Sequence, residues 1–273
     1  MEVYKMKLSV SIAQNVPDSA PFILRGPYIE NIKKAAELGY DAVEIHVRDP
    51  RELEVEQILK ACQEEGVTVS TLGTGLGYVV DKLSLTHPDV KTRQEAVKRL
   101  LDHIEVASYL GAGVIIGSMR GVIAETGQFK KYEAYAAEGL AVCLEKARKC
   151  GVTVFLEAIN RYETNFLNTA AETLNFLTRF NTLHLKVHLD TFHMNIEEVD
   201  LDETLKKTRE ALGHIHFADS NRFYPGQGHL DFKKIIATLK NMGYEGYIAL
   251  ECLPYPTPEE AAAGALRYLK SLL

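Results

Sequence analysis

Four apolar segments of the chain each carry, at or near their end, a side chain able to ligate a metal ion or move a proton. VTVFLE closes on Glu157, LKVHLD on Asp190, HIHF carries His216, and YIALE closes on Glu251. Three carboxylates and one imidazole form a hard, mostly oxygen donor set. It suits Mn2+ or Mg2+ and tolerates Co2+ or Fe2+ better than it suggests structural zinc. A single inward His or Glu is ordinarily a satisfied core residue, and buried charges need partners or metals. What sets these four apart is their order: they lie 33, 26 and 35 positions apart, each gap about one strand-helix unit.

Such positioning requires parallel strands that converge at one end. Eight β-branched or apolar runs fit that need, near Lys7 to Ile12, Ala42 to Val47, Val67 to Leu72, Val114 to Ser118, Val152 to Glu157, Leu183 to Asp190, His214 to Ala218 and Tyr247 to Glu251. Amphipathic stretches such as Tyr28 to Leu38, Leu53 to Glu65, Asp89 to Leu110, Gln128 to Cys150 and Phe232 to Met242 lie between them. The alternation predicts an α/β fold, a (β/α)8 TIM barrel, with the four ligands at its carboxyl rim. An open nucleotide-binding sheet would place GxGxxG after the first strand, where the chain reads SIAQNVPDSAP. No Gly/Ser-rich or Pro-rich linker interrupts the series, so residues 1–273 are expected to form one catalytic domain. The longest connections, Gly73 to Thr86, Gly117 to Gly127 and Ser220 to Leu230, follow strands and should build the active site.

With 46% hydrophobic and 25% charged residues the 273-residue chain has globular composition. A net charge of −6 offers no basic field for nucleic acid. No run of about 18 apolar residues suits a membrane helix. The amino-terminal MEVYKMKLSVSIAQN lacks the long apolar core of a signal peptide. The four cysteines form no CxxC pair, so free thiols and a cytoplasmic location are expected.

Side chains alternate across a strand. Leu183, Leu185, Val187 and Leu189 therefore form an outer set, with His184, Lys186, His188 and Asp190 inward; likewise Val43, Ile45 and Val47 oppose Glu44, His46 and Arg48, and His214 shares a face with His216. On this parity Arg48 sits on the inner rim, and Arg120 follows the fourth strand in VIIGSMRG. Two such arginines would read an anion, a carboxylate above all, through bidentate forks. Equally, Arg48 could pair with Asp49 or Glu44, and Arg120 with Glu125. Gly226 and Gly228 offer a phosphate cradle after the seventh strand, or simply a long turn.

LEAINRYET, LDTFHMNIEE, HFADSNRFYPGQGHLDF and ALECLP resemble, in order and spacing, the motifs of the D-tagatose 3-epimerase-like sugar epimerases of the xylose-isomerase-like barrel superfamily. EIHVRDP, TLGTGLGY and LSLTHP extend a looser resemblance into the first half, and the look is that of bacterial members assigned to keto-sugar acids, such as 5-keto-L-gluconate epimerase. The resemblance implies a metal on Glu157, Asp190, His216 and Glu251, with Glu157 and Glu251 also serving as acid and base. It further implies that Glu163, His193 and Arg222 hold the carbonyl end of the substrate, and that the chain is a homodimer or homotetramer.

Moving the proton on a carbon beside a ketone needs an electrophile on the carbonyl oxygen and bases on both faces of that carbon. A divalent cation on O2 and O3 would stabilise an enediolate by several kcal/mol. Each positioned carboxylate supplies roughly 10²–10⁴-fold. The expected enzyme is thus an isomerase, a Mn2+-dependent epimerase inverting C3 of a ketose or of a keto-sugar acid such as 5-keto-L-gluconate or D-tagaturonate. Three alternatives remain. A metal-dependent aldose–ketose or hydroxypyruvate-type isomerase would move the proton between C1 and C2. A multi-metal abasic-site endonuclease would need more ligands and a basic groove. A non-catalytic sugar-binding barrel would not need two glutamates on the metal.

Overall fold

The computed structural model describes residues 6–273. Met1–Lys5, part of the segment weighed against a signal peptide, lie outside the described residues. The eight predicted runs form the strands β1 (Lys7–Ala13), β2 (Ala42–His46), β3 (Thr68–Gly73), β4 (Gly113–Ile116), β5 (Val154–Glu157), β6 (Leu185–Asp190), β7 (Leu212–Phe217) and β8 (Tyr247–Leu250). All neighbours are parallel, and β8 returns to pair with β1 (Lys7 beside Tyr247, Val10 beside Leu250), so the sheet closes into a (β/α)8 TIM barrel. A two-residue strand, Leu24–Arg25, adds to β1 at Ile12 and Ala13 and anchors the loop that leaves it.

One main helix follows each strand: α1 (Tyr28–Leu38), α2 (Val55–Glu65), α3 (Val90–Leu110), α4 (Phe129–Cys150), α5 (Ala170–Leu177), α6 (Leu201–Thr208), α7 (Phe232–Met242) and α8 (Pro258–Lys270). Local chemistry sets their ends. A reciprocal capping box between Thr169 and Glu172 starts α5. Gly111, at φ 66°, stops α3 in the left-handed region that glycine enters without penalty. None of the described helices is long and apolar enough to cross a membrane.

The outward sets, including Val43, Ile45, Val187, Leu189, Ile215 and Phe217, are buried under the helices. Each such side chain contributes about 1.5–3 kcal/mol on burial. The inward sets are polar where barrel interiors are ordinarily apolar. Ser9, Ser11, Glu44, Thr71, His188 and His214 are all buried inside. Two bulges tune this layer. The register shifts between Val43 and Glu44, setting Glu44 beside Thr71, and between Val187 and His188, setting His188 beside His214.

Candidate active site

The closing residues of β5 to β8 meet at the carboxyl rim. Glu157 ends β5, Asp190 ends β6 beside His216 of β7, and Glu251 directly follows β8. Ligand atoms of Glu157, Asp190 and His216 lie within 4.8 Å of one another. Glu251 joins them, its Oε2 3.6 Å from Nδ1 of His216, while Oδ2 of Asp190 lies 3.9 Å from the same nitrogen. Oδ2 of Asp190 and both ring nitrogens of His216 are buried without a hydrogen-bond partner. Unpaired polar atoms in a dry interior are costly. A divalent cation among them would satisfy Asp190 Oδ2 and His216 Nδ1 together, and the oxygen-rich set suits Mn2+, Mg2+ or Co2+.

The charges show the same need. Burial, reinforced by Glu251 and Asp190, lifts the Glu157 carboxyl well above the usual range. Burial also lifts Asp190 to about 7, against the pull of His216. Burial would raise Glu251 too, but His216, His46 and Arg222 prevail and bring it down to about 2. Burial disfavours a charged His216, yet Glu44 and Glu251 more than reverse that and raise it well above an ordinary histidine. Crowded carboxylates around one imidazole are stabilised by added positive charge.

Above the cluster opens a cavity of about 290 Å³ lined by Glu157, Glu163, His193, His216, Arg222 and Glu251. Gly117 gives Glu157 its place there: a Cβ at Gly117 would lie 2.3 Å from Oε2 of Glu157. The wall opposite the strands comes from the loop after β1, with Pro17, Ala20 and Phe22, and from Leu76 and Val79 after β3. The β1 loop was not among the connections singled out in the sequence.

Glu163, His193 and Arg222 are brought together around a residue the motifs did not single out, Asn160. Its Oδ1 accepts from Tyr162 N at 2.9 Å, so its amide nitrogen is the end that faces Nδ1 of His193 at 2.7 Å and Oε1 of Glu163 at 3.1 Å. His193 Nδ1 therefore accepts and Nε2 carries the proton, 3.8 Å from Oε1 of Glu157. Burial, aided by Arg222, pushes His193 well below its ordinary value and keeps the ring neutral. Arg222 donates through Nη1 to Glu163 Oε1 at 2.9 Å, has Nη2 3.7 Å from Glu251 Oε2, and lies over the Phe192 ring at 4.8 Å.

Arg222 holds φ at 62°, a left-handed conformation that costs a side chain roughly 1–2 kcal/mol. Asp219 sustains it. This fully buried carboxylate accepts backbone N–H groups from Ser220 and Leu230 on Oδ1 and from Gly226 on Oδ2, and its carbonyl accepts from Arg222 N. The loop of Gly226 and Gly228 is thus wrapped around the protein's own anion. A Cβ at Gly228 would lie 2.3 Å from Asp219 Oδ1. That packing accounts for Gly228 and a φ of 95° accounts for Gly226, with no phosphate cradle needed for either.

Arg48 and Arg120 do not line the cavity. Strand β2 ends at His46, so parity no longer governs Arg48, which turns outward and donates from Nε to both oxygens of Asp81, at 2.9 and 3.1 Å, and from Nη2 to Oδ1. Arg120 is 1% exposed, and its guanidinium donates to the carbonyls of Phe166, Gly117 and Leu167 at 2.9–3.1 Å. It ties the loops after β4 and β5 together. The expected pair of arginines reading a carboxylate is therefore not assembled.

The xylose isomerase-like TIM barrel family matches residues 32–272. The chain is 35% identical to a ketose 3-epimerase of Arthrobacter globiformis over 225 residues, 81% of this chain and 76% of that protein. It is 27% identical to a 3-dehydro-D-guloside 4-epimerase of Escherichia coli over 89% of this chain and 94% of that protein. The structure of a Methylomonas D-allulose 3-epimerase in complex with D-allulose superimposes with a TM-score of 0.84 at 25% identity, covering 99% of this chain and 98% of the other. The chain belongs to the xylose isomerase-like TIM barrel family, among its isomerase-class sugar epimerases.

Proposed function

We propose that the protein is a divalent-metal-dependent ketose 3-epimerase. The observation that carries this reading is that two glutamates from different strands, Glu157 and Glu251, border the same orphaned Asp190–His216 pair and open into the same cavity. Glu157, Asp190, His216 and Glu251 would hold the cation, Mn2+ in first place with Mg2+ or Co2+ as substitutes. When bound, the cation supplies Lewis-acid polarisation of the substrate carbonyl.

The remaining work falls to side chains. One of the two glutamates takes the proton from C3, and the other delivers a proton to the opposite face, with roles exchanged in the reverse direction. His193 presents its Nε2–H to a substrate oxygen, a role fixed by Asn160. Arg222 holds Glu163 in the cavity and lies beside Glu251. The apolar wall of Pro17, Phe22, Leu76, Val79 and Ile159 excludes water from the reacting carbon.

Among the described residues that line the cavity Arg222 is the one arginine or lysine, and it is already engaged by Glu163. A neutral ketose suits this cavity better than 5-keto-L-gluconate or D-tagaturonate, whose carboxylate would find no free cation. The relatives support the same direction: they include proteins named ketose, L-ribulose and D-psicose 3-epimerases. The enzyme is read as cytoplasmic, consistent with four free cysteines. It is read as a homo-oligomer, with the exposed Val90 and Val142 available for contact.

The test is epimerisation of D-fructose, D-tagatose, L-ribulose, 5-keto-L-gluconate and D-tagaturonate by metal-stripped and Mn2+-loaded protein, followed by chromatography. Neutral ketoses should convert only with metal. Turnover confined to the keto acids would overturn the substrate reading, and undiminished turnover by stripped protein would overturn metal dependence.

A further inference from the structure

His46, the last residue of β2, has no part in the chemistry so far, yet its ring is held on every side. It is 4% exposed and lines the cavity. Phe22 covers one face, with ring centroids 4.1 Å apart. Gly73 lies against the ring, where a Cβ would be 2.2 Å from Nδ1, so only glycine leaves room. The backbone is tied as well, its carbonyl accepting from Tyr28 Oη at 2.9 Å.

The protonated edge of that ring is fixed by a second buried group. Nε2 of His46 lies 2.8 Å from Oε1 of Glu44, a carboxylate with no exposure. Glu44 also accepts from Thr71 Oγ1 and, at 2.8 Å, from His214 Nε2. His216 Nε2 approaches Oε1 to 2.8 Å, but off the line of a hydrogen bond. With a hydroxyl donating to it and imidazole nitrogens facing both of its oxygens, Glu44 is the acceptor of this group, so the His46 proton resides on Nε2. The same Nε2 edge stands 3.7 Å from Oε1 of Glu251.

We propose that His46 is a positioning residue for Glu251: Glu44 locks the imidazole so that its N–H edge faces the Glu251 carboxylate and confines it to the cavity. At 3.7 Å the contact is electrostatic and steric, not a hydrogen bond. In a water-poor pocket a fixed N–H dipole still orients a carboxylate strongly. The inference rests on Glu251 acting in proton transfer.

Two substitutions separate positioning from space filling. His46→Leu keeps the volume and removes the donor; His46→Gln keeps an N–H able to reach Glu44. With Mn2+-loaded protein and D-tagatose, His46→Leu should lower kcat about 10- to 100-fold. KM should stay within about threefold, the pattern of an interaction felt in the transition state. Mn2+ stoichiometry and dissociation constant, read by titration calorimetry, should match the unsubstituted protein, and His46→Gln should recover most of kcat. Equal impairment of Leu and Gln, an unchanged kcat in His46→Leu, or loss of Mn2+ binding in step with kcat would each overturn the proposal. Glu251→Gln separates the two layers. If it is inactive while His46→Leu is intact, the positioning role alone fails; if it turns over normally, the epimerase reading fails.

Discussion

The Asn160 side-chain amide donates to Nδ1 of His193 at 2.7 Å while its oxygen is occupied by the Tyr162 backbone N–H. One buried asparagine thus selects the histidine tautomer whose proton faces the cavity. The same constraint reaches Glu163 and, through it, Arg222, so these cavity-lining side chains form one chain of contacts.

Asn160→Asp removes the only donor Asn160 offers His193 and puts a negative charge in its place. His193 should then protonate or flip, and kcat/KM should fall by about 100-fold. Mn2+ content should be unchanged. Steady-state kinetics beside metal analysis check this; wild-type kcat/KM in the variant contradicts it.

Gly117→Ala aims at Glu157 from behind. The new Cβ meets the far end of a flexible side chain, 2.3 Å from Oε2, so the carboxylate is the group that must move. A displacement of about 1 Å in a reacting group can cost 10²-fold. A kcat loss of that order is expected, with weaker Mn2+ binding. Unchanged kinetics would show that Glu157 does not act from this position.

Asp219→Asn should act through the loop. Asp219 accepts three backbone N–H groups, and an amide nitrogen among them meets donors with a donor. Hydrogen bonds to charged groups are worth about 1.5–3 kcal/mol each. A destabilisation of about 2–4 kcal/mol in urea unfolding is expected, together with a raised KM as Arg222 loses its support. A variant as stable as the parent would contradict the account of this loop.

Much of this was legible in the chain. The eight strands, and the meeting of Glu157, Asp190, His216 and Glu251 at their ends, follow from alternation and spacing, because parity holds wherever the backbone is extended. It misplaced Arg48 because β2 stops at His46, two residues short. Arg120 was unreadable for another reason: its partners are the carbonyls of residues 117, 166 and 167, which carry no sequence signature. Asn160 and Asp219 lie inside the motifs, but Asn160 works on the His193 ring, which only the fold brings near, and Asp219 on backbone N–H groups, which carry no sequence signature. The cavity wall at Phe22 comes from a loop whose course depends on the two-residue pairing with β1.

His103 on α3 gives the fold a pH dependence. Burial holds its pKa down to about 4, against contacts with the carbonyls of Arg99 and Val47. The folded value is below the unfolded one, so the fold favours the neutral ring. This contribution is complete above about pH 6.5 and is lost as pH falls toward about 4, amounting to about 3 kcal/mol. Urea midpoints between pH 7 and 4 should drop less steeply for His103→Gln than for the parent. Parallel slopes would contradict the assignment.

The most direct test of the central claim is proton NMR in D2O with Mn2+-loaded protein and a neutral ketose. Deuterium should enter at C3, and the signal should vanish after chelation and in Glu251→Gln. Deuterium at C1 in place of C3 would mark an aldose–ketose isomerase and contradict the epimerase assignment.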